Sequence, residues 1–489
     1  MENIDTLSVL LTVPFAGALL SWVIPRGLQR LYAIFGSCVV LALTIYETAS
    51  VLFATTASQA SSLALEQKLP WVPELGLSLH LRLDSVSCWF VALNAVVALL
   101  AFSLRGSWYR KNPRLFTSLG FFLVFALNSA FLSANLILFY LAYEAVYVPI
   151  ILMVGIWGYR AKATSVYRFF LMSFLGSVMM LVSIIYLISL YHAQTGQYSS
   201  SLFDLIQVTS TQSPESLRWC FWGFFLAFAV KVPLFPFHGW LKEVYVNAPM
   251  PVTIWLSAIL SKLGVFGFIR FVGPLFSEVA QRDQGLLLAL AAISVIYAAL
   301  LAIRSNGPKT LLAYSSISHL GFVMVGVFAL SPSGNAAAIL LSVGHGLVSS
   351  MLFFLLHLIE ERKEALSLDT YHGFAKLYPT LFAAFFVGVL ASVSLPGTLN
   401  FAGEFLVLLH AYPASAFCTI LASFGVILGA VYMLKFYQRI GFGKENPSAV
   451  TTNGTAMKDL SGYDLLILLA LVLVLIYFGF QPAIFLKGN

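Results

Sequence analysis

Charge is scarce in this sequence. Only 10% of its 489 residues are Asp, Glu, Lys or Arg, 60% are hydrophobic, and the mean hydropathy is +0.90. Such a chain is neither a water-soluble globule nor a disordered tail. Cysteine is scarce as well: Cys38, Cys88, Cys220 and Cys418 stand far apart, each within or beside an apolar run, with no CxxC and no Cys/His cluster. Disulfides, iron–sulfur clusters and structural zinc are therefore not expected. Also missing are a GxGxxG after a strand, a phosphate loop and a nucleophile elbow, so no cofactor, nucleotide or metal site is expected in this chain, and nothing points to nucleic acid. Long polar segments are absent too. The longest connections, about 55–83, 192–216, 359–378 and 440–462, are too short to fold alone, which places function inside the membrane.

What is present is about fourteen apolar windows, each long enough at 1.5 Å per residue to cross a bilayer of roughly 30 Å. They run approximately 7–24, 32–54, 85–104, 115–134, 136–157, 165–191, 217–237, 250–273, 285–303, 311–330, 335–358, 379–411, 413–438 and 463–482. The expected fold class is an all-α polytopic membrane protein, one membrane domain over 1–489. Glu2 and Asp5, not a basic stretch, precede the first window, and no small-residue cleavage site follows it, so it reads as a retained span.

The net charge of +7 follows from orientation rather than from an acidic partner. With the N-terminus outside, the inner loops hold Arg26, Arg30, Arg105, Arg110, Lys111, Arg114, Arg160, Lys162, Lys242, Arg304, Lys309, Arg362, Lys363, Lys376, Arg439, Lys444 and Lys458. Only Lys68, Arg82, Arg218, Arg282 and Lys487 fall outside, as the positive-inside rule requires.

A few ionisable residues lie where they are expensive. A lysine at bilayer depth costs roughly 2.5 to 3.5 kcal/mol even on lenient scales, so it normally has a partner and marks an ion route. Lys231 lies in the run Trp219 to Phe237, and Pro233 and Pro236 follow it. Each proline removes a helix hydrogen bond and exposes backbone groups that only protein or water can satisfy. Pro396 and Gly397, followed by Glu404, repeat this pairing of a breaker with an ionisable residue about five spans later. Matching interruptions point to a transport site and to repeats of inverted topology.

Glu144, with Pro149 five residues on, is either a protonated acid bonding a neighbouring helix or the partner of Lys231; intramembrane charges usually pair, which favours an ion pair. Lys262 lies mid-span, where snorkelling reaches the interface poorly, and Gly264 and Gly267 allow close helix approach. His319 and His345 stand within apolar spans among serines and glycines, and read as packing residues or as a relay, since imidazole accepts on one nitrogen while donating from the other. Glu404 would complete a line of exchangeable groups. Arg270 and Lys435 read as anchors near span ends, Asp84 as a cap of the third span, and Glu47, in the second span with no breaker beside it, has an open role. His80, His192, His357, His372 and His410 read as ordinary edge or loop residues.

These residues sit in motifs that together resemble the antiporter-like subunits of respiratory complex I, NADH:quinone oxidoreductase. The motifs are LILFYLAYEAVYVPIILMVGIWG, VYRFFLMSFLGSVMML, FAVKVPLFPFHGWL followed by AP, ILSKLGVFGFIRF, LLAYSSISHLGF, GHGLVSSMLFF and SLPGTLNFAGEFL. Their order and spacing carry the resemblance, which covers roughly spans 3 to 14. Glutamate at 404 places the chain nearest the chain 4 (bacterial chain M) branch, because the related chains 5 and 2 typically have lysine there.

The resemblance implies 14 helices: an N-terminal set over 1–114, two inverted five-helix repeats over 115–274 and 285–438 with helices 7 and 12 broken, and a last helix over 463–489. It implies Glu144 and Lys231 as a switching pair, Lys262 as the central lysine, His319 and His345 as connecting groups and Glu404 as the terminal residue. It also implies proton translocation coupled to quinone reduction elsewhere in a complex. NADH, flavin, iron–sulfur clusters and quinone would sit in partner subunits, and other membrane-arm subunits and lipids would surround this one. The chain departs from the family pattern after His238, where Tyr245 and Asn247 replace the usual second histidine and second acid. A subunit of a multi-subunit cation/proton antiporter and a purely structural membrane-arm subunit are the other readings. The phenylalanine-rich composition and the missing targeting peptide point toward a mitochondrial inner membrane, with a bacterial cytoplasmic membrane as the alternative.

Overall fold

The computed structural model describes residues 6–52, 64–72, 74, 76–159, 161–362, 368, 373–443 and 459–486. Glu2, Asp5, Arg160, Lys363, His372, Lys444, Lys458 and Lys487 lie outside the described residues. Every apolar window contains helix. In order, these are α1 Thr6–Leu20, α2 Gln29–Leu52, α3 Ser87–Ser103, α4 Pro113–Leu132, α5 Leu136–Ala145 and α6 Tyr147–Trp157. Next come α7 Lys162–Thr195, α8 Pro214–Lys231, the short α9 Leu241–Asn247, α10 Met250–Leu275, α11 Gln284–Arg304 and α12 Pro308–Phe328. The chain closes with α13 Pro332–Arg362, α14 Pro379–Ser392, α15 Leu399–Ala411, α16 Ala416–Gly441 and α17 Gly462–Phe480. Among the described residues, ten spans are long and apolar enough to cross a membrane, counting α5 and α6 as one (Leu136–Trp157), and shorter apolar helices supplement them.

The helices form a bundle with α10, α12 and α13 at its centre and α2 and α17 on its rim. A rim helix needs only an apolar surface toward lipid, and exposed Leu31, Phe35, Ile45, Leu466, Leu473 and Phe480 supply it. The central helices instead have to tolerate close neighbours on all sides. Small residues make this possible: a Cβ added at Gly264 would stand 2.8 Å from Phe228 O on α8, and one added at Gly403 would stand 2.8 Å from Leu341 Cα on α13. Close backbone approach at small residues is the usual way helices associate where lipid removes the hydrophobic drive.

Among the described residues, one element is not helical. Residues Leu65–Val72 and Leu77–Leu83 pair antiparallel, Leu65 opposite Leu83, within the stretch expected only as a polar connection. The hairpin closes over the α4–α5 junction, where Ala134 N donates to His80 O at 2.9 Å and Leu136 N to Ser200 O at 2.9 Å. The backbone N–H groups of the α4–α5 junction are thereby paired at one face of the bundle.

At the foot of this hairpin Asp84 caps α3, accepting from Val86 N at 3.2 Å and Ser87 N at 3.1 Å. It also binds Arg270 in both arms, at 2.7 and 2.6 Å. Arg270 is therefore an interior partner and not the free anchor expected, while Lys435 is exposed. Burial alone would raise the Asp84 carboxyl, but the Arg270 guanidinium, with the Ser87 amide and Arg82, outweighs it and holds the group well below the usual carboxylate range. With its folded value depressed, Asp84 contributes stability above the unfolded carboxyl range and loses it only as pH falls through the depressed value. Replacing Asp84 with Asn leaves a buried guanidinium uncompensated. Thermal unfolding of the purified protein should register a loss of about 3 kcal/mol, and an unchanged melting temperature would remove this clamp from the account.

Candidate functional site

The centre of the bundle holds a line of polar groups built from α10, α12, α13 and α15. Lys262 is fully buried on α10, between two π-helical turns, Leu256–Leu260 and Phe268–Val272. A π turn widens the helix and leaves a carbonyl to be claimed by something else. The Lys262 ammonium claims Ser257 O at 2.7 Å, five residues back in its own helix. Its other partner is His345 Nδ1 on α13, at 2.8 Å. An ammonium only donates, so His345 Nδ1 accepts and the ring proton sits on Nε2.

From His345 the line continues to His319 on α12, whose ring centre lies 5.4 Å away. Both rings border a small cavity shared with Ser315, Ser316, Ser349 and Ser392. About 10 Å³ of it is open to the centre of a water molecule, room for about one water. His319 Nε2 is buried with no hydrogen-bond partner, and Nδ1 meets Glu404 Oε1 on α15 at 3.1 Å. Nδ1 is the donor when Glu404 is ionised. Four of the six residues expected in the series thus stand in one connected file: Lys262, His345, His319 and Glu404.

The other two stand apart from it. Lys231 is the last residue of α8 and is fully buried. The helix ends there because Pro233 and Pro236 have no N–H to continue it. The freed carbonyls are claimed within the protein: Leu234 N donates to Ala229 O at 2.9 Å and Trp240 Nε1 to Val230 O at 2.9 Å. Glu144 lies half-buried near the end of α5, and Pro149, which cannot donate to Ala145 O, accounts for the break before α6. The direct ion pair expected between Glu144 and Lys231 is not formed. Lys231 Nζ and Glu144 Oε1 are both buried without a hydrogen-bond partner. The ammonium lies instead over two aromatic rings, 4.4 Å from the centre of Tyr143 and 3.7 Å from that of Tyr147.

The second interruption has the form of the first. Helix α14 ends at Ser392, the chain passes Pro396 and Gly397 (φ +92°), and α15 begins at Leu399. Glycine is needed there, since that backbone conformation disfavours any Cβ. Asn400, one turn before Glu404, is fully buried and neither its Oδ1 nor its Nδ2 has a hydrogen-bond partner.

Residues 133–431 match the family described as NADH:quinone oxidoreductase/Mrp antiporter, TM. The chain belongs to this family. It is 36% identical to the NADH-quinone oxidoreductase subunit M of Rickettsia felis over 93% of this chain and 90% of that one. It is 32% identical to the NADH-ubiquinone oxidoreductase chain 4 of Arabidopsis thaliana over 98% and 94%. Among solved structures it resembles a chain of respiratory complex I from Thermus thermophilus with bound NADH, at 32% identity and a TM-score of 0.86, over 99% of this chain and 97% of that chain. The family membership and this fold agree with the resemblance carried by the motifs.

The two positions at which the chain leaves the family pattern have structural work. Asn247 accepts from Ala161 N at 3.2 Å and donates to Ser165 Oγ and Glu243 O, each at 2.9 Å. It ties α9 to the start of α7, beside an Arg168–Glu243 ion pair. Tyr245 is fully buried against Phe353 of α13, ring centres 5.8 Å apart.

Three features escaped sequence reasoning: the π turns around Lys262, the buried Asn400, and the aromatic seat of Lys231. Proline announces a break, whereas a π turn has no residue signature. The spacing of Tyr143 and Tyr147 at i and i+4 was the available signal for the third.

The file depends on helix spacing as much as on its polar residues. Changing Gly403 to Ala puts a Cβ against the Leu341 backbone and forces α15 away from α13. The expected result is a stability loss of about 1 to 3 kcal/mol and a His319–Glu404 separation beyond hydrogen-bond distance, read by thermal unfolding and by a structure of the variant. Retention of the 3.1 Å contact would show that the helices absorb the methyl elsewhere.

Proposed function

We propose that this chain is a proton-translocating membrane-arm subunit of NADH:quinone oxidoreductase, working as part of a translocase whose redox chemistry takes place in partner subunits. NADH, flavin, iron–sulfur clusters and quinone belong to those partners in this reading, and related antiporter-like chains and lipids flank this one. The relatives named as subunit M and chain 4 support the assignment, and the residues of this chain supply its chemistry. The two halves, 115–274 and 285–438, are then inverted repeats that each contribute one broken helix.

The observation that carries the reading is the file from Lys262 to Glu404. The Lys262 ammonium can pass a proton to His345 Nδ1 along a 2.8 Å contact. His345, protonated on both nitrogens, releases its Nε2 proton toward His319, with one water in the shared cavity bridging the rings. His319 accepts at Nε2 and gives up its Nδ1 proton to Glu404. Each imidazole ends in the opposite tautomer and must be reset before the next passage, which gives the file a direction only if something outside it drives the cycle. That driver is the charge state of Lys231 and Glu144. A proton moved against the membrane potential costs about 2.3 kcal/mol per 100 mV, so a file without such a gate would leak backward.

The test uses the whole complex with Lys262→Ala or Glu404→Gln in this chain. NADH-driven proton uptake into inverted membrane vesicles should fall by about tenfold or more while native gels show full assembly. Unimpaired uptake in assembled variants would favour the structural reading. Sodium-coupled exchange by a complex lacking redox subunits would favour the antiporter.

A further inference from the structure

The seat of Lys231 has a geometry of its own. Tyr143 and Tyr147 meet edge to face, ring centres 5.8 Å apart and planes at 85°, so their faces make a corner. The Lys231 ammonium occupies it, at 4.4 and 3.7 Å from the two centres. Both tyrosines are buried. Tyr143 is held by donating its hydroxyl to Ala227 O of α8 at 3.0 Å, one turn before Lys231. Tyr147 packs on Phe169 of α7 at 5.5 Å, and Phe169 packs in turn on Trp240 at 4.9 Å. Trp240 is the indole that closes the break by donating to Val230 O. The aromatic corner, the helix break and the lysine are therefore one packed unit.

A ring face attracts a cation through its quadrupole but takes no proton from it. A carboxylate does both. An ammonium resting on two ring faces keeps its charge and its proton, whereas one resting on Glu144 has an acceptor beside it.

We propose that Tyr143 and Tyr147 are positioning residues of the gate: they form an aromatic cage that holds the Lys231 ammonium in a charged resting place apart from Glu144. This rests on the proton-translocation reading. The gate then has two seats for one ammonium, the cage and the carboxylate, and the broken end of α8 gives the lysine the freedom to exchange them. Each group of the file has a hydrogen-bond partner for at least one polar atom; Lys231, which stands apart from it, has rings.

The experiment compares Tyr147→Phe, Tyr147→Leu and Lys231→Ala in the complete complex, measuring NADH-driven proton uptake and assembly. Phenylalanine keeps the ring face, so uptake should stay within about twofold of the parent, while leucine fills the space without a quadrupole and should lower it about tenfold. Uptake at the parent level in Tyr147→Leu, with Lys231→Ala impaired, overturns the cage and spares the proton-transfer reading. Phenylalanine as damaging as leucine also overturns it, because the hydroxyl and not the ring would then matter. Normal uptake in Lys231→Ala overturns the proton-transfer reading and the cage with it. If the leucine variant does not assemble, fluorinated phenylalanines at 147, which drain the ring face at nearly constant shape, decide the question. A stepwise fall in uptake with each added fluorine supports the cage, and a flat series overturns it.

Discussion

A charge or an unpaired proton donor in hydrocarbon has to be solvated by the protein itself, and most of the irregularity in this bundle serves that need. Regular helices pair their own N–H groups and leave a side chain only the second lone pair of a carbonyl that already accepts one bond. At Lys262 the helix widens into π turns, and Ser257 O becomes available to the ammonium. At Lys231 the helix stops, and the aromatic corner of Tyr143 and Tyr147 receives the charge. The two lysines are equally buried and yet solvated by different chemistry, one by a carbonyl and an imidazole, the other by ring faces.

This difference divides the proposed proton-transfer series into two parts. From Lys262 to Glu404 the groups are in contact or share a cavity, so a proton relay needs only small motions. Around Lys231 no hydrogen-bonded route is formed, and Gly264 brings α10 against the lysine's own Cβ, 3.1 Å from an added methyl. A relay and a gate make opposite demands on structure. The relay benefits from permanent contact, whereas a gate requires contact that can be made and broken.

The frame around these parts is fixed at the ends of the helices. Asp84 joins the third span to Arg270 within a π turn of α10, and Asn247 joins α9 to α7. Both are short, polar and multiply bonded, as suits junctions that must not move while groups between them do.

Sequence by itself determined the membrane, the helix windows and the identity of the ionisable residues within them. Hydropathy is a property of segments, a lysine in an apolar run is costly wherever that run packs, and Pro233, Pro236, Pro396 and Gly397 state their breaks directly. The motifs also carried the family. Only the tertiary structure decided which groups touch. That His345 meets Lys262 while Lys231 turns from Glu144 to two rings depends on helix rotation and spacing, to which hydropathy is blind because both arrangements bury the same residues. The π turns, the Asp84–Arg270 clamp and the β-hairpin were hidden for the same reason: each arises where distant segments meet, and no local pattern records the meeting.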